Sequence, residues 1–215
     1  MSTYAKATES WRCDDCSAEM VMPLFCDSCG VDYPERKRMS PFGLLGLPQS
    51  HAVDLNELEQ REVKIARRLH PDRWQGRGER LYRRALVAQS TINESLGLLR
   101  DPFVRASTLL NLRCEADEAE AVDTKLPQGF LIEQLELQEA IEEGLPASRK
   151  REVKKQVRGE LATLQEAIVE AFEKLEAEPS DDEQQAACEA IRDAVARSRY
   201  WSNVRTALRG QGPPL

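Results

Sequence analysis

Cys13-Asp-Asp-Cys16 and Cys26-Asp-Ser-Cys29 are two C-x-x-C pairs separated by nine residues, and they restrict residues 1–38 more tightly than any other feature restricts its neighbourhood. A two-residue spacer returns the chain by one turn. Each pair can then set two thiolates on one ion, and two pairs close a tetrahedral four-sulfur site. A closed site has no open position for a substrate, so its role is folding rather than catalysis. Residues 1–38 are otherwise irregular and poor in apolar side chains, and the ion would supply most of their folding energy. The spacing reads as structural zinc on Cys13, Cys16, Cys26 and Cys29. Two disulfides, four free thiols, iron, or redox work by either pair stay open as alternatives. Asp14, Asp15, Glu19, Asp27 and Asp32 decorate the knuckles, which opposes a phosphate-facing surface.

After residue 40 the chain reads as helix throughout. Ala, Leu, Glu, Arg and Gln dominate, and aromatic residues make up only 6%, which favours helix over sheet. Leu58, Ile65 and Leu69 share one helical face, with Glu62 as a flaw in it. Pro71 stops that helix. Ala85, Ala88, Ile92, Leu96 and Leu99 mark the next, and Asp101-Pro102 stops it. Two helices with a loop between them make an antiparallel hairpin. Residues 114–126, "CEADEAEAVDTKL", carry five acids against one base and read as a solvated connector. Val153, Val157, Leu161, Leu164, Ile168, Phe172 and Leu175 outline a long amphipathic helix. Ser180 or Asp181 caps the next one, traced by Ile191, Val195, Val204 and Leu208. With Leu131, Ile132 and Leu135 before them, these helices form a three-helix bundle. No run of about 18 apolar residues exists, so nothing spans a membrane. The start, "MSTYAKATESWRCDD", lacks an apolar signal stretch and the Arg-rich character of a transit peptide, which places the protein in the cytoplasm.

The formal net charge is -7, yet residues 67–84, "RRLHPDRWQGRGERLYRR", concentrate Arg67, Arg68, Arg73, Arg77, Arg80, Arg83 and Arg84 around His70-Pro71-Asp72. The free carbonyls of a helix ending at Leu69 or His70 favour positive charge nearby. Asp72 stands as an acid among bases. This is a surface built to dock on an acidic partner. As an enzyme site it is poor, with one His and one Asp but no nucleophile and no phosphate-cradling loop.

A basic helix, then His-Pro-Asp, then a second helix ending in "TINESLGLLRDP", all preceded by "FGLLGLP" at 42–48, resembles the J-domain of co-chaperones for the 70-kDa heat-shock chaperones. The resemblance implies that His70, Pro71 and Asp72 contact the chaperone and stimulate its ATPase. It implies that Arg61, Lys64, Arg67 and Arg68 steer docking. Arg73 stands where Lys is commonest in that family, which keeps the charge.

"GFLIEQLELQEAIEEGL", residues 129–145, carries Glu133, Glu136, Glu139, Glu142 and Glu143 and no base. Together with "STINESLGLLRDPFVRASTLLNL" it is similar to a narrower family, the HscB-type (Jac-type) co-chaperones of iron–sulfur cluster assembly, over about residues 40–209. That similarity implies an IscU-type scaffold protein docked on Leu131, Ile132, Leu135, Glu136, Glu139 and Glu143, with Tyr200 adding an aromatic from the last helix. Ile132 and Tyr200 depart from the Met and Phe of some members, though both keep bulk.

The expectation is an all-α protein. A Cys₄ zinc-ribbon-like module (1–38) precedes a J-domain hairpin (39–114), an acidic connector (115–126) and a C-terminal bundle (127–210). It would bind the scaffold, deliver it to an HscA- or DnaK-type chaperone and stimulate that partner's ATPase, with no catalytic site of its own. A general J-domain co-chaperone with other clients, or a zinc-dependent nucleic-acid binder, are the competing readings; the charge balance opposes the second. The sequence leaves homodimerisation open.

Overall fold

The computed structural model describes residues 11–114, 126–177 and 179–210. It divides into two compact units, one ending at Arg105 and the other beginning at Ala106. The expected connector therefore lies outside the described residues except for Leu126.

The first unit opens with two matched knuckles. β1 (Trp11–Arg12) pairs antiparallel with β2 (Glu19–Met20), and Phe25 bridges Asp32 in the same sense. In each knuckle the first cysteine's N–H and C=O tie the loop shut. Cys13 N donates to Ala18 O at 2.9 Å and Ser17 N donates to Cys13 O at 2.9 Å; the second knuckle repeats this with Cys26 N to Val31 O at 2.8 Å and Gly30 N to Cys26 O at 2.9 Å. The residue after the second cysteine takes a left-handed φ, 58° at Ser17 and 83° at Gly30. Glycine holds that conformation at no steric cost. Cys13, Met20, Cys26 and Tyr33 form a small core with Trp11 and Val31 against it, and Met22, Leu24 and Phe25 are also buried. The module thus buries more apolar surface than its irregular sequence suggests.

A 3-10 turn (Pro34–Arg38) leads to α1 (Pro41–Leu44), whose N-cap Ser40 accepts from Gly43 N. Asp54 caps α2 (Leu55–Leu69) through Asn56 N and Glu57 N, satisfying two otherwise orphaned donors. A five-residue helix, α3 (Pro71–Gln75), follows at once, where the sequence suggests only a loop. α4 (Glu79–Arg100) runs back along α2. Leu58, Ile65 and Leu69 meet Ala85, Ala88, Ile92, Leu96 and Leu99, all buried, with Phe42 and Leu44 of α1. Glu62, the flaw on α2, is paired with Arg100.

The end of the hairpin is locked by a buried polar cluster. Asp101 accepts from Phe103 N at 2.8 Å and Val104 N at 3.1 Å, starting α5 (Pro102–Cys114) behind Pro102 at its first position. Arg105 is buried; it donates to Leu99 O and, at 2.9 Å, to His51 O. The His51 ring in turn sets Nε2 3.1 Å from Pro102 O, so a proton on Nε2 serves that carbonyl.

In the second unit, α6 (Gln128–Glu143), α7 (Ala147–Glu176) and α8 (Asp181–Ala207) follow one another through short turns. Val153, Val157, Leu161, Ile168 and Phe172 bury one face of α7 against Cys188, Ile191, Val195, Trp201 and Val204 of α8. Ala171, Ala187 and Ala194 keep the two backbones close. Ser180 starts α8 through a reciprocal arrangement with Glu183, whose carboxylate accepts from Ser180 N at 3.0 Å and Oγ at 2.8 Å. No helix of the described residues is long and apolar enough to cross a membrane.

Burial, aided by the Arg105 charge, lowers His51 from 6.5 to about 4. The unfolded chain therefore takes up this proton first as pH falls. The neutral ring's contribution is complete above pH 6.5 and is lost between 6.5 and about 4, amounting to about 3 kcal/mol at most. His51→Gln keeps an N–H for Pro102 O and cannot titrate. Urea unfolding from pH 7 to 4 should show a smaller loss of stability in the variant; equal slopes would mean His51 is not the titrating group.

Candidate functional site

The four knuckle cysteines converge as their spacing requires. All four sulfurs lie within 4.8 Å of one another. Cys13 Sγ is 3.5 Å from Cys29 Sγ, and Cys16 Sγ is 3.7 Å from Cys26 Sγ. A tetrahedral ion with sulfur at about 2.3 Å needs edges of about 3.8 Å, whereas a disulfide needs about 2.05 Å. The donor set fits a closed tetrahedral metal and all four thiols are free. Burial raises the Cys13 thiol, but the Tyr33 hydroxyl and the amides of Cys16 and Asp15 more than offset it and hold it at about 6. Tyr33 Oη donates to Cys13 Sγ at 3.3 Å and accepts from Asp14 N at 2.8 Å. This group orients one ligand from outside the first shell of sulfurs.

The knuckle acids are not all solvated. Asp14 pairs with Arg36 at 3.3 Å and Asp32 with Arg84 at 3.1 Å. Asp27 is buried and pairs with Arg68 at 2.9 Å. Asp15 and Glu19 are exposed.

His-Pro-Asp stands at the junction of α2 and α3. His70 ends one helix and begins the next, with Pro71 at the first position of α3. His70 and Asp72 are exposed, and His70 Nδ1 lies 3.3 Å from Asp72 N and 3.4 Å from Asp72 Oδ2. Lys64, Arg67 and Arg73 are exposed around the turn. Arg68 is half-exposed and shares its charge with Asp27. Arg61 is the most enclosed of these bases: its guanidinium is held by Glu57 at 3.2 Å and by the carbonyl of Leu45. It fastens the loop before α2. Trp74, four residues after His70, is the residue that sequence reasoning missed here. It is fully buried, and its Nε1 donates to Arg68 O at 3.3 Å. A tryptophan within an arginine-rich run was the signal.

On α6 the inner and outer faces separate cleanly. Phe130, Gln134, Leu137 and Ile141 step by four, three and four and are buried or half-buried. The Phe130 ring meets Tyr200 at 5.7 Å and Trp201 at 6.4 Å, with Arg197 over it at 5.2 Å. The opposite face carries Ile132 at 48% exposure and Leu135 at 57%, so neither is bundle core. Leu131 is half-buried at the flank, and Glu136, Glu139 and Glu143 are exposed. None of these three glutamates forms an ion pair among the described residues. Tyr200 is half-buried against Phe130 rather than on the outer strip.

Residues 126–209 match the family described as the HSCB C-terminal oligomerisation domain. The chain is 31% identical over 169 residues to the co-chaperone protein HscB homolog of Paraburkholderia xenovorans, covering 79% of this chain and 94% of that protein. It is 23% identical over 210 residues to the iron-sulfur cluster co-chaperone protein HscB of Mus musculus, covering 97% and 85% respectively. Its fold is similar to the crystal structure of human co-chaperone protein HscB, with a TM-score of 0.71 at 23% identity over 95% of this chain and 100% of that one.

The sulfur geometry sets a test. One metal ion per chain should shield the four thiols from a thiol reagent, and a chelator should open all of them together. Thiols that stay unreactive to chelator and open only with a reductant would mean disulfides instead.

Proposed function

The chain belongs to the HscB family of co-chaperones, and from that premise we propose that it carries an IscU-type iron–sulfur scaffold to an HscA- or DnaK-type 70-kDa chaperone and stimulates that chaperone's ATPase. The observation that carries this reading is the outer face of α6. A helix that buries one face on α8 leaves Ile132 and Leu135 in water beside Glu136, Glu139 and Glu143. Exposed apolar side chains rimmed by one sign of charge suit a partner with a hydrophobic patch edged by bases. Leu131 at the flank of that face, and Tyr200, half-buried against Phe130, complete the scaffold contact.

The second surface is the turn. The charges of Arg61, Lys64, Arg67 and Arg68 draw in an acidic chaperone surface. His70, Pro71 and Asp72 then make the specific contact, with Asp72 and the His70 ring held against one another. The chain contributes no catalytic group; it raises the chaperone's own ATP hydrolysis by binding. Cys13, Cys16, Cys26 and Cys29 hold zinc, which fixes the knuckles. The domain limits we propose are 1–38, 39–114, 115–126 and 127–210. We place the protein in the cytoplasm.

Changing Leu131, Ile132 and Leu135 together to Ala should weaken scaffold binding at least about tenfold, since such anchors are worth roughly 1–2 kcal/mol each. Thermal melting should fall only slightly, because Ile132 and Leu135 are exposed and Leu131 is half-buried. Calorimetric titration with wild-type affinity would put the scaffold elsewhere. Asp72→Asn should abolish ATPase stimulation and leave scaffold binding intact; normal stimulation would remove the turn from the mechanism.

A further inference from the structure

The second knuckle has two sides. Cys26 and Cys29 turn toward the sulfur cluster, while the residues between and beside them lie against the hairpin. Phe25 sets its ring edge-on to Trp74 with centroids 4.7 Å apart. Asp27, with a side chain only 1% exposed, receives Arg68 Nη1 at 2.9 Å. Ser28 O accepts from Arg77 at 3.5 Å, and the Arg77 guanidinium lies 4.9 Å over the Trp74 ring. A Cβ at Gly30 would stand 2.8 Å from a Leu81 methyl and 3.5 Å from the Trp74 ring. The chain order is Phe25, Cys26, Asp27, Ser28, Cys29, Gly30. Metal ligands alternate with hairpin contacts, so the shape the ion imposes is the shape that meets α3.

α3 needs such support. Five residues are too few to be stable as an isolated helix, and it is anchored by Trp74, whose ring is wedged between Phe25 and Arg77. Asp27 is a costly way to fill a buried position. Its Oδ1 has no hydrogen-bond partner among the described residues, so the carboxylate rests on the single pair with Arg68. What the pair secures is geometry: it fixes Arg68 one residue from the end of α2, two residues before His70.

We propose that the second knuckle is a positioning element for the His70-Pro71-Asp72 turn, acting through Asp27 on Arg68 and through Phe25 on Trp74, so that productive docking of the chaperone depends on metal occupancy of the four cysteines. This rests on the reading of that turn as the chaperone contact. Asp27 is a positioning residue and need not touch the chaperone.

The test uses the full metal-loaded chain, Asp27→Asn, Phe25→Leu, and Asp14→Asn as a control within the module, since Asp14 pairs with Arg36 and not with the hairpin. Metal content is measured for each, so that loss of the ion and loss of the contact are told apart. Two readouts are taken: amide hydrogen exchange along the chain, and stimulation of a DnaK-type ATPase across co-chaperone concentration. Asp27→Asn and Phe25→Leu with metal retained, and wild type stripped by chelator under reductant, should speed exchange at residues 70–82 about tenfold, equivalent to 1.4 kcal/mol. Exchange in 85–100 and 147–207 should be unchanged. The concentration for half-maximal stimulation should rise several-fold for Asp27→Asn while the plateau holds. Asp14→Asn should match wild type. Unchanged exchange and stimulation after stripping, or faster exchange spread through all of α2 and α4, would overturn the proposal. Loss of stimulation in Asp72→Asn without any response to Asp27→Asn would leave the turn's role standing and overturn only the knuckle's part in it. Normal stimulation by Asp72→Asn would overturn both.

Discussion

Pro71 has no N–H to give to the helix that precedes it, and much of the first unit follows from that. The last carbonyls of α2 lose their in-helix donors. One of them, Arg68 O, is taken by Trp74 Nε1 at 3.3 Å, and the Trp74 ring is thereby drawn under the turn and buried. Burying an indole while pairing its one N–H satisfies both halves of the side chain. The ring needs a floor, and Phe25 of the second knuckle provides it. The break in the helix, the exposed His70 and Asp72 and the docking of a cysteine module are thus connected by one side chain.

Charge is distributed by the same economy of partners. The chain is acidic overall, with a formal net charge of -7, but its acids and bases are sorted by place. In the first unit Asp14, Asp27, Asp32 and Glu62 are consumed by Arg36, Arg68, Arg84 and Arg100. Lys64, Arg67 and Arg73 are left in solvent beside the turn. On α6 the reverse holds, because Glu136, Glu139 and Glu143 are exposed on a helix without a base. Most exposed pairs contribute little to stability. Their value here is what they leave over, one basic surface and one acidic surface for two different partners.

The helices were legible because burial and periodicity are local. Leu58, Ile65 and Leu69, or Val153 and Val157, announce a buried face from their spacing alone, and the structure buries them. The cysteines were legible because four sulfurs on one ion demand a particular spacing. What the sequence hid were partners far apart in the chain. Nothing near Glu62 shows that Arg100 will answer it, and nothing near Asp27 shows that this knuckle acid will be buried against Arg68. Arg61 reads like its basic neighbours, yet it is turned to Leu45 O and Glu57. α3 was hidden because five residues carry no period, and its only mark was Trp74. On α6 the exposed apolar residues were visible in composition. That Ile132 and Leu135 point away from the bundle could be settled only by Phe130 and Gln134 pointing into it.

Two surfaces on one chain have a purpose only if the two partners are engaged together. Single-turnover ATP hydrolysis by the 70-kDa chaperone, measured with this protein, with the IscU-type scaffold, and with both, tests that directly. Hydrolysis with both present should exceed the sum of the separate effects if the proposed delivery of client to chaperone holds. Stimulation by the co-chaperone that is the same with and without scaffold would contradict the account, since the outer face of α6 would then have no part in the reaction.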